Sequence, residues 1–96
     1  MIDKYLPVGS VVLLEGGQKR IMIIGRGERQ RDTEKTWDYL ACPYPEGFLG
    51  EDYAYLFDHE QINRVYFIGF QDGEELAFSE LLLEAAAGSS PEAAEK

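Results

Sequence analysis

The sequence predicts one small, mainly β domain of the α+β kind: a five-stranded, coiled antiparallel sheet or small barrel with a C-terminal helix. Three observations predict it. Five short runs rich in Val, Ile, Tyr, Phe and Trp are separated by Gly, Pro and Asp punctuation. The last apolar segment is built from Glu, Leu and Ala and recurs at helical spacing. The 96 residues suffice for a single core and leave little room for a separate catalytic cleft.

Pro7 and Gly9 break the chain ahead of the first strand, Ser10 to Glu15. Gly16-Gly17 then reads as a two-residue hairpin turn, because both positions accept positive φ. The second strand is Lys19 to Arg26, with Gly25 and Gly27 marking a bulge or sharp coil late in it. The apolar centre of this pair is nearly continuous, which fits a sheet covered on both faces. Residues Glu28 to Lys35 form an exposed loop or hairpin tip, and Trp37 to Cys42 a third strand.

Pro43, Pro45, Gly47 and Gly50 punctuate a long loop before the fourth strand, Tyr53 to Phe57. Asp58 to Asn63 reads as a one-turn helical connection with Asp58 accepting from the N–H groups ahead of it. Arg64 to Phe70 is the fifth strand. Asp72 and Glu75 make a capping-box-like pair, and Phe78, Leu81, Leu82 and Ala85 fall on one stripe of a helix from about Gly73 to Ala87, ended by Gly88. The competing reading turns the chain at Asp72-Gly73 and starts a shorter helix after Ser79. Five strands with tight turns and a helix predict the coiled sheet or an SH3-like barrel over residues 1–87. Residues 88–96 hold no large apolar side chain and predict a disordered tail.

Net charge is −9, unevenly spread. Residues 1–36 carry seven basic against five acidic groups, and residues 37–96 two against thirteen. Such a chain repels nucleic acid and anionic lipid at long range. The single cysteine, Cys42, fits a reducing compartment. No apolar stretch approaches the ~20 residues that span a bilayer, and no basic region followed by an apolar one opens the chain, so a cytoplasmic location with no membrane partner is expected.

No catalytic arrangement stands out, and no enzyme activity and no cofactor are expected. Cys42 and His59 are the only residues of their kinds and have no flanking motif. They cannot supply a structural zinc site. Asp72, Glu74 and Glu75 miss the calcium-loop pattern, and Gly25-Arg26-Gly27 lacks the third glycine and following helix of a phosphate cradle. The basic cluster Lys19, Arg20, Arg26, Arg29, Arg31 and Lys35, beside Trp37 and Tyr39, is the one feature favouring single-stranded nucleic acid. Glu28, Asp32 and Glu34 interleave with it and weigh against that.

Surface recognition of another protein is the better-supported expectation. Tyr44, Phe48, Tyr53 and Tyr55 lie on or beside the Pro/Gly-rich loop, where stiffly held rings suit a binding hot spot. The alternative is that Phe48 and Leu49 fold back to plug the barrel. Leu76 and Leu83 widen the apolar stripe of the helix beyond what one sheet face needs, so the excess could take a partner or a second copy as a homodimer.

Several stretches resemble a known family. They are Leu6 to Leu14 followed by Lys19 to Arg26, Asp38-Tyr39 leading to Tyr44-Pro45-Glu46-Gly47, Tyr55 to Ile62, and Val65 to Phe70. Together, over about Leu6 to Glu75, they resemble the small bacterial family catalogued as domain of unknown function 4176. Its members are often encoded in Gram-positive bacteria beside type VII secretion genes and LXG-type toxins. The resemblance implies a cytosolic chaperone, adaptor or targeting factor, with an exported toxin or its small helical partners as partner. A nucleic-acid-binding SH3-like or OB-like barrel is the alternative.

Overall fold

The computed structural model describes residues 4–30 and 32–87. Its strands are β1 (Val11–Leu14), β2 (Ile21–Arg29), β3 (Thr36–Pro43), β4 (Tyr55–Phe57) and β5 (Ile62–Phe67), followed by the helix α1 (Gly73–Ala87). Short 3-10 turns at Glu51–Tyr53 and His59–Gln61 flank β4. The sheet is antiparallel throughout, in the order β4-β3-β2-β1-β5.

That order makes β4 and β5 the two edges, although only residues 58–61 separate them in the chain. A flat five-stranded sheet sets its edges about 19 Å apart. A connection of this length containing a 3-10 turn reaches roughly 14 Å. The sheet must therefore curl, bringing its edges together at the His59–Gln61 end. Among the described residues no ladder joins β4 to β5, so the sheet is coiled and open, and the closed barrel is corrected to this form.

The inner face carries the core. Val12, Ile21, Ile23, Tyr39, Ala41 and Phe57 are buried there, with Tyr5 from the N-terminal segment laid over them. Tyr39 stacks on Phe57 at 5.4 Å between ring centres and meets Tyr5 edge-on at 5.9 Å. Leu6, Leu14, Ile62, Leu82 and Leu83 complete the cluster. On the outer face Val11 and Cys42 are buried, while Met22, Ile24, Leu13, Leu40 and Leu56 are only half-buried. The expectation that both faces of the first strand pair are covered is thus half met.

The segment 5–10 is sewn to the sheet. Gly9 N–H donates to Ile23 O and Ile23 N–H to Ser10 O, both at 2.8 Å. The buried Ser10 hydroxyl donates to Pro7 O at 2.8 Å and accepts from Gly69 N–H at 3.0 Å. The chain after β5 therefore passes directly over Val8 and Gly9, and a Cβ on Gly69 would overlap the Val8 carbonyl oxygen.

Turns and boundaries refine the sequence reading. Gly16-Gly17 sits at the middle of the first hairpin, but ladder pairing stops at Val12↔Ile21, so the loop is longer than two residues. Leu13 and Leu14 pair instead with Arg64 and Ile62 of β5. The register shift between Ile23 and Gly25 is the bulge expected at Gly25. Asp58 caps the His59–Gln61 turn in a capping box with Gln61. The full helix wins at Gly73–Ala87.

The helix stripe needs correction. The side of α1 turned to the sheet runs through Glu75, Ser79, Leu82 and Leu83, while Phe78 and Leu81 are about half exposed or more. The capping box at its start is half formed. Asp72 Oδ1 accepts from Glu75 N–H at 2.9 Å, but the Glu75 carboxylate turns away to Arg26. Residues 88–96, expected to be a tail, lie outside the described residues.

Candidate partner-binding surface

The structure places most of the nominated surface residues in solvent without gathering them. Tyr44, Phe48, Tyr53, Tyr55 and Leu76 are exposed, Phe48 and Tyr53 by about 60% (59% and 60%). Phe48 and Leu49 do not plug the sheet. Tyr53 closes the first 3-10 turn, Tyr55 follows on the β4 edge, and Leu76 lies on α1. Leu83 packs against the core and is a structural residue.

A denser apolar surface lies at the opposite edge. Every residue of β5 after Ile62 is exposed, and Ile68 and Phe70 beyond it are also exposed. The register against β1 shifts twice: Leu14 pairs with Ile62 and Leu13 with Arg64, passing over Asn63, and then Val12 pairs with Val65 and Val11 with Phe67, a bulge that leaves Tyr66 as the extra residue. Alternation along a strand would send Tyr66 and Phe67 to opposite faces. The bulge instead brings both to the outer face, where they line an open cavity of about 550 Å³ with Gly9, Val11, Arg20, Met22 and Tyr44. Val8, Phe70 and Phe78 line a neighbouring depression.

Two cations lie over the Tyr66 ring, and one of them, Arg20, also lines the cleft. The Arg20 and Arg64 guanidiniums each lie 5.2 Å from the centre of the Tyr66 ring. Among the described residues neither is paired with a carboxylate. The other described cations of the basic cluster are spoken for: Lys19 pairs with Glu46, Arg29 with Glu34, and Lys35 with Asp58 while lying over the Trp37 ring. Arg26 is buried against Glu75. Arg31 lies outside the described residues. Sequence reasoning missed Tyr66, Phe67 and Arg64. The available signal was a final strand apolar on both faces with no acid between Ile62 and Gln71.

The titratable groups inside the fold hold structure together. Tyr39 accepts the Leu6 N–H at 2.9 Å and meets His59 Nδ1 at 2.7 Å. With its oxygen engaged by Leu6, its own proton is assigned toward the imidazole. Burial raises the Tyr39 phenol well above its ordinary value. Burial raises Tyr5 too, helped by the nearby Asp38 carboxylate. Asp38 and Asp58 accept backbone N–H groups across the β3–turn contact, from His59 and Asp38 respectively. Cys42 is buried in register with Met22, on the face opposite Tyr39, so the structure does not bring Cys42 and His59 together. Among the described residues no three His, Cys, Asp or Glu side chains group as metal ligands, and no helix is long and apolar enough to cross a membrane.

Neither the curated proteins nor the solved structures include a match to this chain. Residues 5–78, from the N-terminal segment to the first turns of α1, match the family described as Domain of unknown function (DUF4176), and the chain belongs to that family.

Proposed function

We propose that this chain is a non-enzymatic protein-binding accessory module, acting in the cytoplasm as a chaperone, adaptor or targeting factor for LXG-type effectors of type VII secretion. The observation that carries the binding part is the exposed apolar surface of the cleft at Tyr44, Tyr66 and Phe67. At about 200 Å² for a fully exposed ring residue, the exposed parts of these three come to roughly 300 Å². An apolar patch of that order on a small domain is often an interaction site. The secretion part rests on the company that members of the family keep in bacterial genomes.

The test is co-purification from a cell carrying the native gene neighbourhood. A stoichiometric partner that is an LXG-type toxin or a small helical protein encoded beside it is the expected result. Recovery of none, while a known toxin–chaperone pair is recovered in parallel, overturns the reading. The nucleic-acid alternative has weaker support, because carboxylates pair with most of the described cations of its basic cluster.

A further inference from the structure

Strand β5 is the longer of the two sheet edges, at six residues against three in β4. Natural proteins protect such edges with charge, proline, bulges or a covering element. The β5 edge has one charge, Arg64, two register shifts against β1, no proline, and no strand on its outer side among the described residues. Its backbone is a template for one more strand. Its bulge turns Tyr66 and Phe67 into a cleft already floored by Val11 and Met22. Two guanidiniums without carboxylate partners among the described residues stand at the Tyr66 ring, in a chain whose net charge is −9.

Charge decides what fits. A second copy of β5 would bring another Arg64 and no acid, since residues 62–71 contain none. It would also dock one strongly acidic chain on another. A single nucleic-acid strand would satisfy the cations but would meet the long-range repulsion of the same acidic chain. A protein segment with apolar side chains and a carboxylate satisfies the edge, the cleft and the cations together.

We propose that β5 and the Tyr66–Phe67 cleft bind an extended segment of another protein by strand addition, with a large apolar side chain of that segment in the cleft and its carboxylate between Arg20 and Arg64. The inference rests on the protein-binding reading above and adds the site and the chemistry of the segment. Backbone pairing supplies sequence-independent affinity, and the cleft with its two guanidiniums supplies selectivity.

The test uses the full chain and a fluorescein-labelled ten-residue peptide that alternates phenylalanine and valine with glutamate, beside the same peptide carrying glutamine for glutamate. The glutamate peptide is expected to bind at least tenfold more tightly, with affinity falling as salt rises. The double variant Arg20→Gln with Arg64→Gln is expected to lose that tenfold preference, and Tyr66→Ala to weaken both peptides, with unfolding midpoints unchanged because all three side chains are exposed. Amide shifts in the NMR spectrum should cluster at Met22 and Val65 to Ile68. Equal affinity for the two peptides, shifts confined to Phe48 and Tyr53, or an oligothymidylate binding the same residues more tightly than the peptide each overturns the proposal. So does a dimer in sedimentation that Tyr66→Ala disperses, since the occupant is then a second copy. In the co-purification above, capture by the wild type that survives the double arginine variant sinks this inference alone. Absence of any partner sinks the broader reading, and the peptide result then still decides this one.

Discussion

Arg26 and Glu75, 49 residues apart in the chain, form a two-pronged ion pair with both contacts at 2.7 Å, and it joins the middle of the sheet to the first turn of α1. The guanidinium is nearly buried, also donates to Leu6 O at 3.2 Å, and lies 5.4 Å from the Phe78 ring centre. One residue of β2 thus ties down both the N-terminal segment and the helix. Its Nε has no hydrogen-bond partner among the described residues.

Breaking this pair from one side leaves a charge in a poorly solvated place. Arg26→Met is expected to destabilise the fold by about 3 kcal/mol. Adding Glu75→Leu should recover a good part of that, because no lone carboxylate then remains. Urea unfolding of the two single variants and the double variant measures the coupling. Additive losses would mean that the pair does not anchor the helix. Arg26→Lys should behave like a loss, since a point charge cannot reproduce the fork.

Two glycines at the ends of one short segment should respond to alanine in opposite directions. Gly69→Ala pushes a methyl into the Val8 carbonyl oxygen and the Gly9 backbone, in a crossing locked by Ser10. A cost of about 3 kcal/mol is expected. Gly73→Ala meets nothing within 4 Å at the first residue of α1 and should stabilise by roughly 0.5 kcal/mol. Thermal unfolding of the two variants separates these outcomes. A neutral Gly69→Ala would show that the N-terminal segment does not cross there in solution.

Alkaline pH should loosen the fold through Tyr39. Its folded-state pKa is raised above the ordinary value of 10.0, first by burial. The unfolded chain therefore releases this proton before the folded chain does. The stability held by the neutral phenol is complete below about pH 10 and falls as pH rises past that point toward the folded-state value. Tyr5, raised in the same direction, adds to the slope. Urea unfolding between pH 8 and roughly 11 should show the decline, and Tyr39→Phe should flatten it. That variant also loses the acceptor for Leu6 N–H, so it should start about 1–2 kcal/mol lower. An identical slope in the variant would remove Tyr39 as the cause.

Element order was legible because each strand is locally consistent, with branched and aromatic runs between turn residues. The bounds of α1 were legible for the same reason, from Asp72-Gly73 at one end to the alanines at the other. Which side of α1 faces the sheet was not. Leu76, Phe78, Leu81, Leu82 and Leu83 surround the helix, so apolar periodicity offers several answers, and Arg26 selects one by holding Glu75. The surface was half legible. Exposed rings in the 44–55 stretch followed from Pro and Gly, but Tyr66 and Phe67 sharing a face depends on a register shift against β1. A bulge of that kind comes from long-range pairing and leaves no glycine in the sequence to announce it.

Two phenylalanines test whether the β5 end of the sheet is open in solution. Phe57 is fully buried against Tyr39, and Phe70 is 79% exposed. Phe57→Ala should cost about 4 kcal/mol, a large share of the stability of a domain this small. Phe70→Ser should change stability by less than about 0.5 kcal/mol and reduce the binding of a hydrophobic dye. The sign matters more than the size. A loss at Phe70 comparable to that at Phe57, growing as the protein is concentrated, would mean that another copy covers the ring and contributes to its stability. A neutral result at every concentration leaves Phe70, and the strand end beside it, free for a different partner.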